Sequence, residues 1–256
     1  MSEKRAAERR PVTIVTGGGR GIGAATALYL ARAGHDVAIC FRRDADSARQ
    51  VVDDAARLGA ASCAVRADVT READVDRLFA RAQDELGAVT GLVNNAGATG
   101  MIADLVDTPV ATLRGVIELN LVGTLLCCRR AAHAMSTRHG GGGGAIVNVS
   151  SSAATLGSPH QYVHYAAAKA GVDTLTVGLA QELAAEGIRV NAVAPGMVRT
   201  RIHADAGDAS RIVRLAPTVP LGRPGEPEEI APAIGWLLSA EASYATGAIL
   251  RVAGGR

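Results

Sequence analysis

The feature that most constrains the fold is a regular alternation between short apolar runs and longer amphipathic runs along nearly the whole chain. The short runs are rich in valine, isoleucine and alanine and carry little charge, which is typical of strands buried on both faces of a parallel sheet. They predict strands at residues 12–16, 37–41, 62–66, from 91, 145–149, 188–193 and 248–252.

The longer runs repeat their apolar residues at helical spacing, and the first two stop at Gly34 and Gly59, as helices often do. They predict helices at residues 21–33, 46–58, 72–86, 113–135, 165–186 and 228–239. Alternating strands and helices imply right-handed crossovers and a parallel sheet covered on both faces. The expected fold is therefore α/β, a single doubly wound domain of Rossmann type with a mostly seven-stranded parallel sheet.

Three segments depart from this alternation. The polar residues 1–10 have no apolar core of a signal peptide, so they predict a mobile tail ahead of one domain at 11–256. Residues from about 197 to 225 contain three prolines and little periodicity, and a loop of that length is usually a lid or a substrate-binding loop. Five consecutive glycines at 140–144 predict a surface loop.

Charge and cysteine content narrow the choice of partners. The 256 residues carry 27 basic and 25 acidic side chains, a net charge of +2, which gives no electrostatic reason to expect nucleic acid or a membrane. We also expect no apolar run of the roughly 18 residues that a membrane span needs. The four cysteines form no CxxC pair and have no histidine at ligand spacing, which predicts no metal site and thiols buried in a reducing cytoplasm.

A glycine-rich turn, Thr-Gly-Gly-Gly-Arg-Gly-Ile-Gly at 16–23, connects the first predicted strand to the first helix. Glycine lets the backbone approach a phosphate closely, and a helix N-terminus adds N–H groups and a partial positive charge. The spacing differs from the common GxGxxG, so the turn indicates a nucleotide site mainly through its position after an N-terminal strand. The predicted contacts are Gly17, Gly19, Arg20, Gly21, Ile22 and Gly23.

The end of the second strand indicates which dinucleotide such a turn would bind. An acidic residue there binds the ribose 2′-hydroxyl of NAD, whereas a nearby arginine accommodates the 2′-phosphate of NADP. Here Phe41 is followed directly by Arg42, and Arg20 in the glycine turn could reach the same phosphate. Asp44 and Asp46 come later and are interpreted as charges or caps at the start of the second helix. The sequence therefore favours NADP(H) over NAD(H).

An ordered series of motifs after Arg10 resembles the short-chain dehydrogenase/reductase family over nearly the whole chain. After the glycine turn come Asp68-Val69, Asn-Asn-Ala-Gly at 94–97, Asn120 in an NxxG, Ser151 at a strand end, the YxxxK of Tyr165 and Lys169, and Pro195-Gly196 with Thr200. Within the family, the chain is most similar to classical members of the 3-oxoacyl-carrier-protein-reductase-like kind.

The resemblance implies an oxidoreductase that transfers hydride between a nicotinamide and a carbonyl or secondary alcohol, without a metal. It also implies a small-molecule substrate and a homo-oligomer, commonly a tetramer assembled through two long helices. It completes the set of predicted cofactor contacts with Asp68, Val69, Asn94, Ala96, Gly97, Tyr165, Lys169, Pro195, Gly196, Val198 and Thr200.

Tyr165 and Lys169 are the predicted proton-handling pair. Tyrosine has a solution pKa of about 10 and is a poor base at neutral pH, but a nearby cation stabilises the phenolate and lowers this pKa. The two residues stand at i and i+4, on one face of a helix. Among the four tyrosines only Tyr165 has a lysine four residues on, in a chain whose other lysine is Lys4. By resemblance, Lys169 also hydrogen-bonds the nicotinamide ribose.

One of three consecutive serines, 150–152, is expected to hydrogen-bond the substrate oxygen and stabilise its developing charge. Alignment of the preceding strand selects Ser151, with one residue inserted near 157–159. Counting the family's usual 13 residues back from Tyr165 selects Ser152 instead. Neighbouring residues of an extended segment point to opposite sides, so only one of them faces the substrate, and we favour Ser151.

By resemblance, Asn120 would hold a water that links Lys169 to solvent, and Thr200 would bind the nicotinamide carboxamide. Candidate substrate contacts besides the loop after Pro195 are Met101, His160, Tyr162 and His203. The expected function is NADP(H)-dependent carbonyl or alcohol redox chemistry with Tyr165 as general acid/base. Two alternatives stay open: an NAD-dependent alcohol or sugar dehydrogenase, and a non-catalytic nucleotide-binding regulator, which the complete Asn, Ser, Tyr and Lys set disfavours.

Overall fold

The computed structural model describes residues 10–208 and 210–256. Within them, seven strands form one parallel sheet in the order β3-β2-β1-β4-β5-β6-β7. The strands are β1 (Val12–Val15), β2 (Asp36–Phe41), β3 (Ser62–Arg66), β4 (Val89–Asn94), β5 (Gly144–Val149), β6 (Ile188–Pro195) and β7 (Ile249–Val252). This confirms the predicted doubly wound, parallel fold, and every predicted strand is present with slightly shifted ends.

Helices cover both faces of the sheet. They are α1 (Gly21–Arg32), α2 (Ala45–Arg57), α3 (Glu72–Leu86), α4 (Val110–Ile117), α5 (Gly123–Met135), α6 (Ala153–Leu156), α7 (Val163–Leu183), α8 (Ile202–Asp205), α9 (Arg211–Leu215) and α10 (Pro227–Leu238). Leu30 of α1 and Ile234 of α10 belong to the core on one face. Phe79 of α3, Met135 of α5 and Leu183 of α7 belong to the core on the other face. Because both faces are covered, the central strands are mostly apolar.

The order of the strands places a crevice between β1 and β4. β1 pairs with β2 on one side and with β4 on the other, so the chain winds away from this point in opposite directions. Doubly wound sheets bind ligands outside the carboxyl ends of the strands at such a switch point. The glycine turn follows β1, the segment 94–97 ends and follows β4, and the serines 150–152 follow β5. The fold therefore brings the predicted site segments to one edge of the sheet.

The helix predicted at 113–135 is longer than expected and interrupted. α4 continues through a π-helical stretch, Glu118–Val122, directly into α5. Among the described residues, Val110–Met135 is one helical segment long and apolar enough to cross a membrane by length and composition, with a mean hydropathy of 1.5. The expectation that no such apolar run exists was wrong. Met135 at its end is fully buried in the core beside the sheet, whereas only 28% of the most apolar 18 residues of the segment are buried.

Two boundaries also differ from the prediction. Arg10, assigned to the tail, is held by Asp36 at 3.0 Å and donates to the backbone oxygen of His35 at 3.1 Å. The rest of the predicted tail, 1–9, lies outside the described residues. The segment 197–225 contains α8, α9 and a 3₁₀ turn at Ala216–Thr218, because Ile212 and other apolar side chains of this segment are buried against the domain.

Candidate active site

The glycine turn forms a tight cradle between β1 and α1. Gly17 and Gly21 have φ angles of +63° and +54°, in the left-handed region that favours glycine. A Cβ atom on Gly23 would lie 2.4 Å from the carbonyl oxygen of Gly17, so this position has no room for a side chain. Arg20 occupies the N-cap of α1, and its side chain carries no acceptor that could cap the helix, which leaves the first N–H groups of the helix available to an anion.

Asn95 braces this cradle from the end of β4. Its Nδ2 donates to the backbone oxygens of Thr16 and Gly17 at 2.9 and 3.1 Å. The hydroxyl of Thr16 in turn accepts from the backbone N–H groups of Asn95 and Ala96 at 2.9 and 3.0 Å. Sequence reasoning missed Asn95, although its position just after a strand beside the switch point could have identified it.

Asn94 was predicted to contact the cofactor, but its side chain turns away from the cleft in this structure. Its Nδ2 donates to the side-chain oxygen of Asn148 at 2.9 Å, and Nδ2 of Asn148 donates to the hydroxyl of Thr176 at 2.9 Å. Successive side chains of an extended segment point in opposite directions, so Asn94 turns into the core while Asn95 turns toward the crevice. This buried chain joins β4, β5 and α7 beneath the site.

A cleft of about 1120 Å³ opens at this edge of the sheet. The predicted contacts that line it are Gly17, Gly19, Arg20, Gly21, Ile22, Arg42, Asp68, Val69, Ala96, Gly97 and Thr200. Its lining does not include the predicted contacts Gly23, Asn94, Tyr165, Lys169, Pro195, Gly196 and Val198. Gly23 packs beneath the turn, and Val198 is buried and bridged to Gly225. The lining also includes Arg43, Arg199 and Arg201, which sequence reasoning missed.

Acidic side chains partly balance the arginines of the cleft. Arg42 lies 3.8 Å from Asp68, and Arg20 pairs with Asp205 at 2.7 Å. Asp44, predicted as a charge or cap at the start of α2, accepts a hydrogen bond from the first turn of that helix. The side chain of Arg42 is half exposed beside the end of β2, so an anionic group in the cleft can reach it.

Tyr165, Lys169 and Ser151 come together next to this cleft. Tyr165 and Lys169 lie one turn apart on α7, with Nζ of Lys169 5.7 Å from the centre of the tyrosine ring. Both residues are buried, at 7% and 4% exposure. Ser151 lies near enough to Tyr165 to lower the pKa of the phenol. A Cβ atom on Gly97, in the cleft wall, would lie 3.7 Å from Nζ of Lys169, so the triad adjoins the cleft.

The electrostatics of Tyr165 differ from the prediction. Burial raises the pKa of Tyr165 well above its ordinary value, and the hydrogen bond with Ser151 opposes this shift in part. Lys169 does not bond the phenol in this structure, because its Nζ donates to the backbone oxygen of Val149 at 2.7 Å. The predicted lowering of the Tyr165 pKa by Lys169 is therefore not met here. Tyr165 holds its proton at neutral pH and is suited to donate it.

Lys169 has an unusual acidity for a lysine. Burial lowers the pKa of Lys169 to about 8, and the negative charge of Asp173, one turn further along α7, opposes this shift. Burial also raises the pKa of Asp173, against hydrogen bonding from Ser150 and the charge of Lys169. A lysine with this pKa exchanges its proton close to neutral pH, which suits a group that handles protons.

Asn120 lies in the π-helical stretch and is fully buried. Its Nδ2 donates to the backbone oxygens of Ala98 and Val116 at 2.8 and 2.9 Å. Its Oδ1 has no hydrogen-bond partner among the described residues. A Cβ atom on Gly97 would lie 2.7 Å from this oxygen, so Oδ1 of Asn120 and Nζ of Lys169 both lie next to Gly97. The predicted neighbourhood of Asn120 and Lys169 is thus present in the structure.

The three consecutive serines have different surroundings. The hydroxyl of Ser150 donates to the backbone oxygen of Lys169 at 3.4 Å, beneath the triad. The hydroxyl of Ser151 accepts from the backbone N–H of Ala153 at 3.1 Å, and Ser151 is near enough to Tyr165 to lower its pKa. The backbone N–H of Ser152 donates to the oxygen of Pro195 at 2.8 Å, which fixes the start of α6 to β6. This geometry favours Ser151 over Ser152 as the partner of Tyr165.

The candidate substrate contacts are dispersed. Met101 is exposed, and His160 is exposed and paired with Asp104 at 2.9 Å, away from the triad. Tyr162 is buried and packs edge-on against Tyr165, with ring centres 5.5 Å apart. His203 lies on α8, and burial lowers its pKa. Of these candidates, Tyr162 is the one that directly contacts the triad.

Comparisons with known proteins agree with this geometry. The family model described as Enoyl-(Acyl carrier protein) reductase matches residues 17–256. An uncharacterized oxidoreductase of Escherichia coli, YgfF, is 43% identical over 96% of this chain and 99% of the relative. A cis-4-hydroxycyclohexanecarboxylate dehydrogenase of Sinomonas cyclohexanicum is 45% identical over 95% of each chain. The crystal structure of a short-chain type dehydrogenase/reductase from Mycobacterium marinum has a TM-score of 0.89 and 34% identity, over 96% of this chain and 94% of that one.

Proposed function

Because the chain belongs to the short-chain dehydrogenase/reductase family, whose members act on alcohol or carbonyl groups with a nicotinamide cofactor, we propose that it interconverts a carbonyl and a secondary alcohol with NADP(H). In this proposal Tyr165 is the general acid and base. The observation that carries it is the convergence of Ser151, Tyr165 and Lys169 beside a cleft that begins at a glycine cradle. A regulator that only bound nucleotide would have no need for a buried lysine and tyrosine there.

The residues present fit a dinucleotide. The cradle at Gly17–Gly23 offers helix N–H groups to phosphates, and the crowding around Gly23 keeps its backbone close to the strand. When bound, the nicotinamide supplies hydride to the carbonyl carbon or accepts it from the alcohol. Thr200, in the cleft wall, would bind the carboxamide, and Lys169 would bind the ribose hydroxyls.

The triad then handles the proton. Ser151 orients the substrate oxygen, and Tyr165 donates its proton to that oxygen during reduction or accepts it during oxidation. The cation of Lys169 stabilises the phenolate that forms on Tyr165. Oδ1 of Asn120, which faces the Lys169 side of the cleft, is placed to hold a water that returns the proton. A raised pKa for Tyr165 is consistent with the role of acid in reduction.

NADP(H) is favoured over NAD(H) by the charges around the end of β2. Arg42 and Arg43 follow Phe41 there, where an NAD-selective site would place an acidic residue for the 2′-hydroxyl. Asp44 is engaged at the start of α2, and Asp68 stands close enough to Arg42 to orient it. Arg20, in the glycine turn, also lines this cleft.

Replacing Arg42 with alanine is expected to weaken NADPH binding by about 10- to 100-fold, since a charged hydrogen bond to a phosphate contributes about 1.5–3 kcal/mol. NADH binding should change little, because NADH has no 2′-phosphate. Dissociation constants from the quenching of protein fluorescence or from calorimetry would check this. Arg49→Ala is the matched control, since Arg49 is exposed on α2 and pairs with Asp46 outside the cleft. An unchanged NADPH preference in Arg42→Ala would contradict the proposed role of Arg42, whereas tighter binding of NADH than of NADPH by the wild type would favour the NAD-dependent alternative.

The two candidate serines can be separated by substitution. Ser151→Ala is expected to lower kcat by about 100-fold or more, because one preorganised donor to a developing oxyanion is removed. Ser152→Ala is expected to retain most of the activity, because Ser152 holds α6 mainly through its backbone. Initial rates at saturating NADPH, together with thermal melting, would check both variants. A larger loss in Ser152→Ala at unchanged stability would reverse the assignment.

A panel of ketones with NADPH, and of secondary alcohols with NADP+, tests the proposed function as a whole. The Sinomonas relative is named for oxidation of a cyclic hydroxy compound, which supports an alcohol or carbonyl as the reacting group. We expect nucleotide-dependent turnover of at least one pair. Tight nucleotide binding with no turnover in either direction, with NADP(H) or NAD(H), would favour the regulator alternative.

We further propose that the chain assembles into a homotetramer through its long helices. Val110 and Leu125, on α4 and α5, and Val163 and Val177, on α7, are exposed apolar residues on the helices that the family resemblance assigns to the interface. Light scattering should give the mass of four chains. A monomer mass would overturn this assignment.

A further inference from the structure

Arg211, on α9, is a buried arginine next to the triad. The residue is only 5% exposed. Its Nη2 donates to the hydroxyl of Tyr162 at 3.0 Å and to the side-chain oxygen of Gln161, and its guanidinium lies over the Tyr162 ring at 5.2 Å from the ring centre. These contacts fix the guanidinium of Arg211, which belongs to the segment 197–225, against residues 161 and 162.

The charge of Arg211 has no direct counter-ion among the described residues. Within that part of the chain no carboxylate lies within 4.0 Å of its guanidinium. The acidic side chain nearest in sequence, Asp208, is occupied by Arg214 and by the hydroxyl of Ser210. The direct partners of Arg211, Gln161 and Tyr162, are neutral.

The hydrogen-bonding capacity of Arg211 is also unfilled. Its Nε is buried and has no partner among the described residues. Burial and the charge of Arg211 together lower the pKa of nearby His203, which keeps that imidazole neutral at neutral pH. A buried cation with a free donor costs stability unless an anion pairs with it. Asp208 acts on Arg211 through its charge without contacting it, so the position for an anion in direct contact with the guanidinium is unfilled among the described residues.

The position of Arg211 relative to the triad restricts which anion it can bind. Tyr162 joins the two, because it contacts Arg211 through its hydroxyl and Tyr165 edge-on, at 5.5 Å between ring centres and an angle of 88°. Arg211 is thus connected to the Tyr165 ring through one intervening aromatic ring. α9 belongs to the segment expected to close over the substrate.

We propose that Arg211, presented by Gln161 and Tyr162, binds a carboxylate of the substrate. The substrate class is then an oxo acid and its hydroxy acid whose carboxylate is several carbon atoms away from the reacting carbon, because a whole tyrosine ring separates the two sites. This inference rests on the proposed oxidoreductase function for the identity of the reacting group. A guanidinium suits the role, since its planar donors match the two oxygens of a carboxylate.

The test compares 4-acetylbenzoate with its neutral analogue 4-acetylbenzamide. Binding of each to the protein with NADP+ is measured by calorimetry, where the oxidised cofactor cannot reduce the ketone. We expect the acid to bind at least about tenfold more tightly than the amide in the wild type. The preference should disappear in Arg211→Met and be partly kept in Arg211→Lys. Equal binding of acid and amide by the wild type, or no binding of the acid, would overturn the proposal.

Reduction of the same two ketones with NADPH separates this proposal from a structural role of Arg211. If Arg211→Met lowers kcat/KM for the acid about tenfold or more and leaves kcat/KM for the amide unchanged, Arg211 binds the carboxylate. If both substrates lose equally, Arg211 only fastens α9 to Tyr162, and the proposal is wrong. Tight, Arg211-dependent binding of the acid without turnover of any ketone would leave the anion site standing and refute the proposed function instead.

Discussion

Replacing Tyr165 with phenylalanine is expected to lower the turnover number on the order of 1000-fold in both directions, because proton transfer by a positioned side chain contributes about 100- to 10,000-fold. The phenol is buried, holds its proton at neutral pH, and lies close enough to Ser151 for that residue to affect its pKa. Phenylalanine keeps the ring that packs against Tyr162 and removes only the hydroxyl. Rates of NADPH oxidation with the best ketone of the panel would measure the loss.

The matched control is Tyr244→Phe, since Tyr244 is fully exposed outside the cleft. It should turn over like the wild type. Tyr165→Phe should also keep its melting temperature and its affinity for NADPH, since the ring still fills its site. Turnover of Tyr165→Phe equal to that of wild type would remove Tyr165 from the chemistry. A loss of nucleotide affinity equal to the loss of rate would assign it to binding.

The sheet could be predicted from the sequence because its strands are buried on both faces. Such strands must be apolar throughout, so the runs at 12–16 or 145–149 have few other interpretations. The interruption at Glu118–Val122 was not predicted, because no particular residue type marks the single residue that a π-helical turn adds. Arg10 was misplaced because its partners, Asp36 and His35, become neighbours only after folding.

The candidate site divides in the same way. Tyr165 and Lys169 were predictable because their relation is local, four residues apart on one helix. The choice between Asn94 and Asn95 depends on where β4 ends, because that decides which of the two side chains turns toward the cleft. An error of one residue in the predicted strand end exchanges the two. The pKa of Tyr165 depends on burial by the whole domain, which a local rule about a nearby lysine does not take into account. Arg211 carries no motif, and only its burial and its lack of a direct counter-ion among the described residues distinguish it.

Replacing Lys169 with methionine should lower the turnover number by about 100-fold or more, since a fixed charge that stabilises the phenolate of Tyr165 is lost. Methionine keeps a similar apolar volume in the buried site. It also removes the hydrogen bond to the oxygen of Val149, so some loss of melting temperature is expected. NADPH affinity should fall as well, because the same ammonium is proposed to bind the ribose. The affinity and rate measurements would show whether the loss in rate exceeds the loss in binding.

The pH dependence distinguishes a charge effect from a packing effect. The pKa of Lys169 is lowered to about 8, so the ammonium is present below that pH and lost above it. Tyr165 stays protonated across this range because burial raises its pKa, so the rate of carbonyl reduction should fall as pH rises through about 8. Lys169→Met should be slow and flat there, since no group at this position titrates. Lys169→Arg should also be flat, because arginine stays charged. The same fall near pH 8 in Lys169→Met would show that a different group controls the reaction.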